Sequence, residues 1–254
     1  MLREYLFSVN GFESRAVYEE RVVEELFLPL LRRWTAMRRE HDRRILVFLS
    51  APPGVGKTTL AQTMEYLSAA EPELAPLQAV GLDGFHYHAD YIASHTAIIG
   101  GREVPMKQVK GAPETYDIEK LTCTLEALRE GDVRWPIYDR NLHDVVEDAV
   151  EVTAGIVLVE GNWLLSTEGA WARVSEMCDD SIFIEAHPDD VRDRLIARKI
   201  RGGLSPEAAE EFYERSDRAN ILRLMNNHRR AGEIWSMTAD GSFAREGTRK
   251  RTNR

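Results

Sequence analysis

Ser50-Ala51-Pro52-Pro53-Gly54-Val55-Gly56-Lys57-Thr58-Thr59 follows directly on the apolar run Ile45-Leu46-Val47-Phe48-Leu49, and Leu60 to Leu67 reads as a helix. An apolar strand, a glycine-rich turn, Gly-Lys-Thr and a helix form the layout of a phosphate-binding loop. Glycines let successive backbone N–H groups converge on an anion, and the helix adds its positive N-terminal end. Lys57 has the reach for the β- and γ-phosphates of a nucleotide, and the Thr58 hydroxyl is a hard oxygen donor for Mg²⁺. Pro53, Gly54, Val55, Gly56, Lys57, Thr58 and Thr59 are therefore the candidate nucleotide-binding residues. Ala51 stands where the strict pattern has its first glycine. Its side chain is small enough for the same tight turn.

The chain has 254 residues, 43% hydrophobic and 30% charged, enough to bury a sizeable core as one α/β domain or two small ones. A net charge of −9 and a pI near 5.4 argue against bulk binding to nucleic acid or anionic membranes. No nucleic-acid or membrane partner is expected. A phosphate site here has to be a local positive pocket in a negative field. The cysteines, Cys123 and Cys178, lie far apart without metal-ligand spacing, which fits a reduced, cytoplasmic protein. The charged start Leu2-Arg3-Glu4-Tyr5 is unlike a signal peptide, and no stretch approaches the ~20 apolar residues of a membrane helix.

At the N-terminus, Tyr5–Val9 and Ser14–Tyr18 flank the turn signal Asn10-Gly11 and read as a hairpin. A helix is expected from about Glu20 to His41, with an apolar stripe of Val22, Leu26, Leu28, Leu31 and Trp34. Its arginines Arg32, Arg33, Arg38 and Arg39 fit a solvated face. The remainder alternates. Strands are expected over Arg44–Ser50, Gln78–Asp83, Gly155–Glu160, Ser181–Glu185 and Glu233–Thr238. Between them, Asp117 can cap a helix that stops at Gly131, and Pro188 and Ser205-Pro206 can open two more. Such alternation predicts a central five-stranded parallel sheet with helices on both faces, a three-layer α/β sandwich. Ligands gather at the carboxyl ends of such strands, where the phosphate loop, Asp83 and Glu160 all fall. Periodicity fades between Gly84 and Lys110, a length that marks a functional or disordered loop. The organisation expected is a hairpin-and-helix extension over 1–42, the main domain over 43–243, and a flexible basic tail over 244–254.

Asp83-Gly84-Phe85-His86 ends the second strand. A carboxylate there can face the γ-phosphate and accept a proton from an attacking hydroxyl, or simply cap a turn. Glu160, after Val159, can hold Mg²⁺ with Thr58, or pair with a basic residue at the sheet edge. Arg194, Arg198 and Arg201 stand at i, i+4 and i+7, so one helix face can present all three over the phosphates as a lid (194–205). The bland alternative pairs them with Asp189, Asp190 or Glu207. Arg198 and Arg201 are the candidates for contact with the transferring phosphate.

Together these pieces carry a family resemblance. Gly54-Val55-Gly56-Lys57-Thr58-Thr59, Asp83-Gly84-Phe85-His86, Lys110-Gly111-Ala112-Pro113-Glu114-Thr115-Tyr116-Asp117, Pro136-Ile137-Tyr138-Asp139-Arg140 and Val159-Glu160-Gly161 resemble the P-loop kinases that include pantothenate kinase, uridine kinase and phosphoribulokinase. Within them the chain is most similar to an uncharacterised bacterial branch of nucleoside/nucleotide kinase-like, fructose-transport-associated proteins. The resemblance covers about Arg44 to Thr238 and leaves residues 1–42 outside. It implies the P-loop NTPase fold, ATP and Mg²⁺ as cofactors, Asp83 as catalytic base and Glu160 as the acidic magnesium position. It implies an acceptor-site insertion (84–117) and an acceptor pocket in the region of Tyr138 and His143.

The candidate acceptor residues are His86, Lys110, Tyr116, Tyr138, Arg140 and His143, with Tyr87 and His88 beside them, rich in hydrogen-bond donors and poor in aliphatic groups. A small polyhydroxylated acceptor suits them best, because each buried hydroxyl needs a partner. A nucleoside stacking on Tyr87 or Tyr138 ranks second, and a pantothenate-like acid paired by Arg140 or Lys110 third. Two other readings compete. His86 and His88 could ligate a metal, since i and i+2 share a strand face, though no Cys or acidic partner has good spacing. A nucleotide switch or ATPase would need neither an acceptor pocket nor a base. A homodimer is one expectation for assembly that no residue pattern fixes.

Overall fold

The computed structural model describes residues 1–9, 12–238 and 241–245. It opens with a hairpin of β1 (Leu2–Val9) and β2 (Phe12–Glu19), longer at its outer ends than the sequence pattern gives. The expected Asn10-Gly11 turn lies outside the described residues. A continuous helical stretch follows as α1 (Glu20–Val22), a π-type segment (Val23–Phe27) and α2 (Leu28–His41), close to the expected span. Then come β3 (Ile45–Ser50), α3 (Lys57–Ala70) and β4 (Leu77–Gly81). Helix α4 (Ala89–Ser94) and strands β5 (Thr96–Ile99) and β6 (Arg102–Pro105) occupy the stretch where periodicity fades. Helix α5 (Ile118–Glu130) leads to the hairpin β7 (Val133–Asp139) and β8 (Asp144–Val152), then β9 (Ile156–Gly161), α6 (Trp171–Ser175) and β10 (Asp180–Glu185). Helices α7 (Pro188–Arg201), α8 (Pro206–Phe212) and α9 (Arg218–Asn226) precede β11 (Glu233–Met237) and β12 (Phe243–Arg245).

The central sheet runs β12-β11-β10-β3-β9-β4. Five of its strands are parallel, the five expected from the sequence, and β12 adds a sixth, antiparallel to β11. Residues 244–245, assigned by composition to a flexible tail, therefore belong to an edge strand. Three residues are too few to show periodicity. Phe243 earns the strand its place by packing on Trp235 and Tyr18. The rest of the expected tail, 246–254, lies outside the described residues.

Strand β3 is buried at every position. Its Ile45, Val47 and Leu49 face a core shared with α2, α3 and the N-terminal hairpin, whereas Leu46 and Phe48 face a core shared with α5 and Trp163. Two buried faces explain a continuous apolar run rather than alternation. The hairpin is stitched to the first of these cores by Tyr18 edge-on to Phe27 at 5.0 Å and Tyr5 against Tyr66 at 5.6 Å.

The region 84–110 is built rather than looped. Ile92, Ala97 and Met106 close a small core of their own beneath α4 and the β5–β6 hairpin. The β7–β8 hairpin crosses so closely over the end of β4 that a Cβ on Gly84 would lie 2.0 Å from the Pro136 carbonyl oxygen. Only glycine lets Asp83 and its turn sit beneath that hairpin.

Candidate active site

The carboxyl ends of β3, β4 and β9 converge. After β3 the phosphate loop turns through Gly54 at φ +87° and Gly56 at φ +93°, conformations that favour glycine. Lys57 opens α3, is 8% exposed, and folds back so that its Nζ donates to the Pro52 carbonyl at 3.1 Å. The first turn of α3 thus points its N–H groups into the loop, as an anion cradle needs. Val191 and Leu195 of α7 rest on Gly54, each 3.1 Å from where a Cβ would be.

At the end of β9, Glu160 Oε1 accepts from the Thr58 hydroxyl at 2.6 Å. Asp83 does not extend β4 as expected but sits in a 3₁₀ turn, Leu82–Phe85, with its side chain exposed. Burial holds the Lys57 ammonium below its ordinary range, against the raising influence of Glu160 and Asp83. Burial lifts the Glu160 carboxyl; Lys57 opposes this, Asp83 adds to it, and Arg140 opposes it more weakly. Burial also lowers Arg198, helped by the like charge of Arg140 and opposed by Asp217 and Asp83. Lys57, Arg140 and Arg198 thus face Asp83 and Glu160, a locally positive pocket in a chain of net charge −9.

Tyr116 is 2% exposed, and burial, followed by the charges of Asp83 and Glu160, pushes its phenol well above the ordinary range. Its ring stacks on His86 at 3.8 Å and meets Trp171 edge-on at 5.5 Å. His86 is fixed by its Nδ1, 3.0 Å from the Thr115 carbonyl oxygen, which makes Nδ1 the protonated nitrogen. Burial lowers its pKa, against the opposing influence of Asp83 and the Thr115 carbonyl, and so favours the neutral ring. Lys110 donates to the Tyr138 hydroxyl at 2.7 Å. Of the predicted acceptor residues, His86 and Tyr116 therefore stand beside Asp83, Arg140 reaches the charged cluster, and Lys110 and Tyr138 pair nearby. His143 is different. It sits exposed at the turn of the β7–β8 hairpin with φ +56° and makes no hydrogen bond or ion pair among the described residues.

The three arginines of α7 do not share one role. Arg198 is half-buried against the cluster, while Arg201 is exposed at the helix end. Arg194 turns the other way, its Nη1 lying 3.6 Å from Met237 Sδ. Among the described residues the alternative pairing with Asp189, Asp190 or Glu207 is not seen. The ion pairs there between α7 and its neighbours are Arg192 with Glu210 and Glu214, and Lys199 with Asp217. The rival reading of His86 and His88 as metal ligands, disfavoured by their spacing, gains no support. His88 Nε2 lies 3.0 Å from Glu147, and no group of three or more His, Cys, Asp or Glu among the described residues is placed to hold a metal ion. Among the described residues no helix is long and apolar enough to cross a membrane.

Sequence reading missed the supports of the Lys110–Asp117 segment. The Trp163 indole donates to Gly111 O at 2.9 Å, and that of Trp171 to Pro113 O at 3.3 Å. Arg223 bridges Glu114, at 2.8 Å, and Glu168. The one available signal was Glu114 itself, a carboxylate in a motif whose one cation, Lys110, is taken by Tyr138.

Comparison with known proteins bears on the family and the fold. YggC of Escherichia coli K12, an uncharacterised protein, is 44% identical over 237 residues, covering 93% of this chain and 96% of that one. A pantothenate kinase of Histophilus somni is 26% identical over 214 residues, covering 75% of this chain and 64% of the relative. The crystal structure of a candidate fructose transport system kinase from Silicibacter sp. TM1040 superposes with a TM-score of 0.71 at 29% identity, over 82% of this chain and 98% of that one. No family model matches the chain.

Proposed function

Because this chain belongs to the P-loop kinases of the pantothenate kinase and uridine kinase type, in the branch that includes YggC, we propose that it transfers the γ-phosphoryl group of ATP to a hydroxyl of a small polar metabolite. The observation that carries the proposal is the position of Asp83. Its charge acts on Lys57 and Arg198, the two cations suited to the phosphates, and also on Tyr116 and His86 of the polar pocket. A base between a phosphate cradle and a polar pocket is what transfer to a hydroxyl requires, and what hydrolysis alone does not.

Lys57 and the loop N–H groups bind the phosphates. Arg198 stabilises charge on the transferring group, with Arg201 contributing from the helix end. Asp83 orients the acceptor hydroxyl and takes its proton. Residues 194–205 act as the lid, and 84–117 shape the acceptor site. Thr58 Oγ1 and Glu160 Oε1 are hard oxygen donors side by side, which fits Mg²⁺, an ion that keeps most of its other ligands as water and phosphate. Bound there, Mg²⁺ neutralises charge on the β- and γ-phosphates.

His86, Lys110, Tyr116, Tyr138 and Arg140 offer many donors and little aliphatic surface. They favour a sugar or polyol acceptor, with a nucleoside second. The test is ADP release with Mg·ATP over sugars, polyols, nucleosides and pantothenate. Release that depends on one acceptor class supports the proposal; equal release without any acceptor identifies an ATPase instead.

A further inference from the structure

Beside the base lies a cleft of about 660 Å³ that the phosphate site does not use. That volume is within the range of small-molecule sites and well beyond what one reacting hydroxyl needs. His86 forms the wall shared by the two. It is 8% exposed, its Nδ1 is occupied by the Thr115 carbonyl, and its Nε2 has no hydrogen-bond partner among the described residues. A ring nitrogen free to accept, on a buried histidine in the lining of a cleft, can take a donor from whatever fills the space.

Two further features describe that occupant. The first is an aromatic ladder along α4. Tyr87 stacks on Tyr91 at 4.3 Å, and Tyr91 on His95 at 3.6 Å with 8° between planes. Preassembled rings give a planar group an apolar wall with little side-chain entropy left to lose. The second is charge. The lining holds three carboxylates, Asp90, Asp117 and Glu147, against one ammonium, Lys120. Lys120 is already spent, donating to Glu147 Oε1 at 2.5 Å. Asp117 Oδ1 accepts from Lys120 N at 2.9 Å to cap α5, and its second oxygen is available to a ligand hydroxyl or amine. An anionic group entering this cleft would meet uncompensated negative charge; a neutral or cationic one would not.

From the cleft, the ladder and the charge we infer that it is a second acceptor subsite, which takes an uncharged or cationic ring-bearing portion of the acceptor and excludes carboxylates and phosphates. The inference rests on the kinase reading in placing the reacting hydroxyl at Asp83. It narrows the acceptor to a two-part, non-acidic molecule, such as a glycoside or a nucleoside, and removes a pantothenate-like acid.

The test is calorimetric titration of the full-length protein with three matched pairs: phenyl glucoside and phenyl glucuronide, uridine and orotidine, panthenol and pantothenate. Each pair differs by a carboxylate. The uncharged member should bind at least about tenfold more tightly in every pair that binds. Asp90→Lys should narrow that gap to less than about threefold, with Asp90→Asn as the milder step. Tyr91→Ala should weaken the phenyl and uridine probes while leaving panthenol little changed. Equal or tighter binding of the carboxylates, binding of no probe, or an unchanged gap in Asp90→Lys would overturn the inference. A parallel titration with Mg·ATP reports the nucleotide site separately. Failure there, with the cleft's discrimination intact, would count against the kinase reading and not against the subsite.

Discussion

The Thr58 hydroxyl donates to Glu160 Oε1 at 2.6 Å, joining the first turn of α3 to the end of β9. Strands β3 and β9 are parallel neighbours in register, Leu49 opposite Glu160 and Ser50 opposite Gly161. The loop after β3 therefore delivers Thr58 to the last side chain of β9. Two hard oxygens meet at the mouth of the phosphate cradle because strand order places them there.

If this pair holds Mg²⁺, Thr58→Ala should separate metal-dependent from metal-independent nucleotide binding. ATP affinity in excess Mg²⁺ should fall by roughly tenfold, the worth of one good polar contact. Affinity in EDTA should stay near the parent value. Titration calorimetry under both conditions checks this. Equal losses in both would make Thr58 a loop-folding residue instead.

Arg198 and Arg201 should differ, because Arg198 is half-buried among Lys57, Asp83 and Arg140 while Arg201 is exposed. Arg198→Ala should lower kcat by roughly 10³ with a smaller change in the KM for ATP, since the charge it meets develops in transfer. Arg201→Ala should cost at least tenfold less. Lysine at position 198 should rescue poorly, lacking the planar fork. Steady-state kinetics on the three variants decide this.

Gly84→Ala tests the crossing of the β7–β8 hairpin over the Asp83 turn. A Cβ 2.0 Å from the Pro136 carbonyl oxygen meets backbone that cannot rotate away. The substitution should destabilise the fold by about 3 kcal/mol, the upper end for overpacking. Urea unfolding measures the loss.

Asp179 anchors the sheet's amino end. It is 9% exposed at its side chain, accepts from Leu46 N at 2.8 Å, and pairs with Arg43 at 2.8 Å and Arg129 at 3.2 Å. Burial raises its pKa, but those donors outweigh burial and hold it below the ordinary carboxylate value. A depressed folded pKa gives stability that is present above the unfolded value and is lost as pH falls through the folded one. Stability should therefore drop steeply below about pH 4, and Asp179→Asn should flatten that part of the profile. Urea midpoints between pH 6 and pH 2 provide the measurement.

Much of this was legible in the chain itself. The apolar run ending at Leu49 marked a strand buried on both faces, and Gly54 and Gly56 marked the loop, because these depend on local pattern and backbone freedom. The five parallel strands followed from the same rule. The β7–β8 hairpin was not legible, although its Tyr138 and Arg140 were singled out. Pro136 interrupts its pattern, and the register shifts between Trp135 and Ile137. Nor was the division of labour in α7. Helical spacing put Arg194, Arg198 and Arg201 together, but Met237 and the packing of α7 on the loop turn Arg194 away. His143 shows the same limit. A motif names a residue, and the tip of a hairpin still decides where its side chain stands.

Asp83→Asn, measured for nucleotide binding and for transfer in the same preparation, tests the assignment of the base most directly. Asparagine keeps the shape of the side chain and cannot take a proton. Mg·ATP affinity should stay within about threefold of the parent while phosphoryl transfer to the acceptor falls by roughly 10²–10⁴. Loss of Mg·ATP binding together with near-parental turnover at saturation would make Asp83 a metal or structural residue, and would contradict its role as the base.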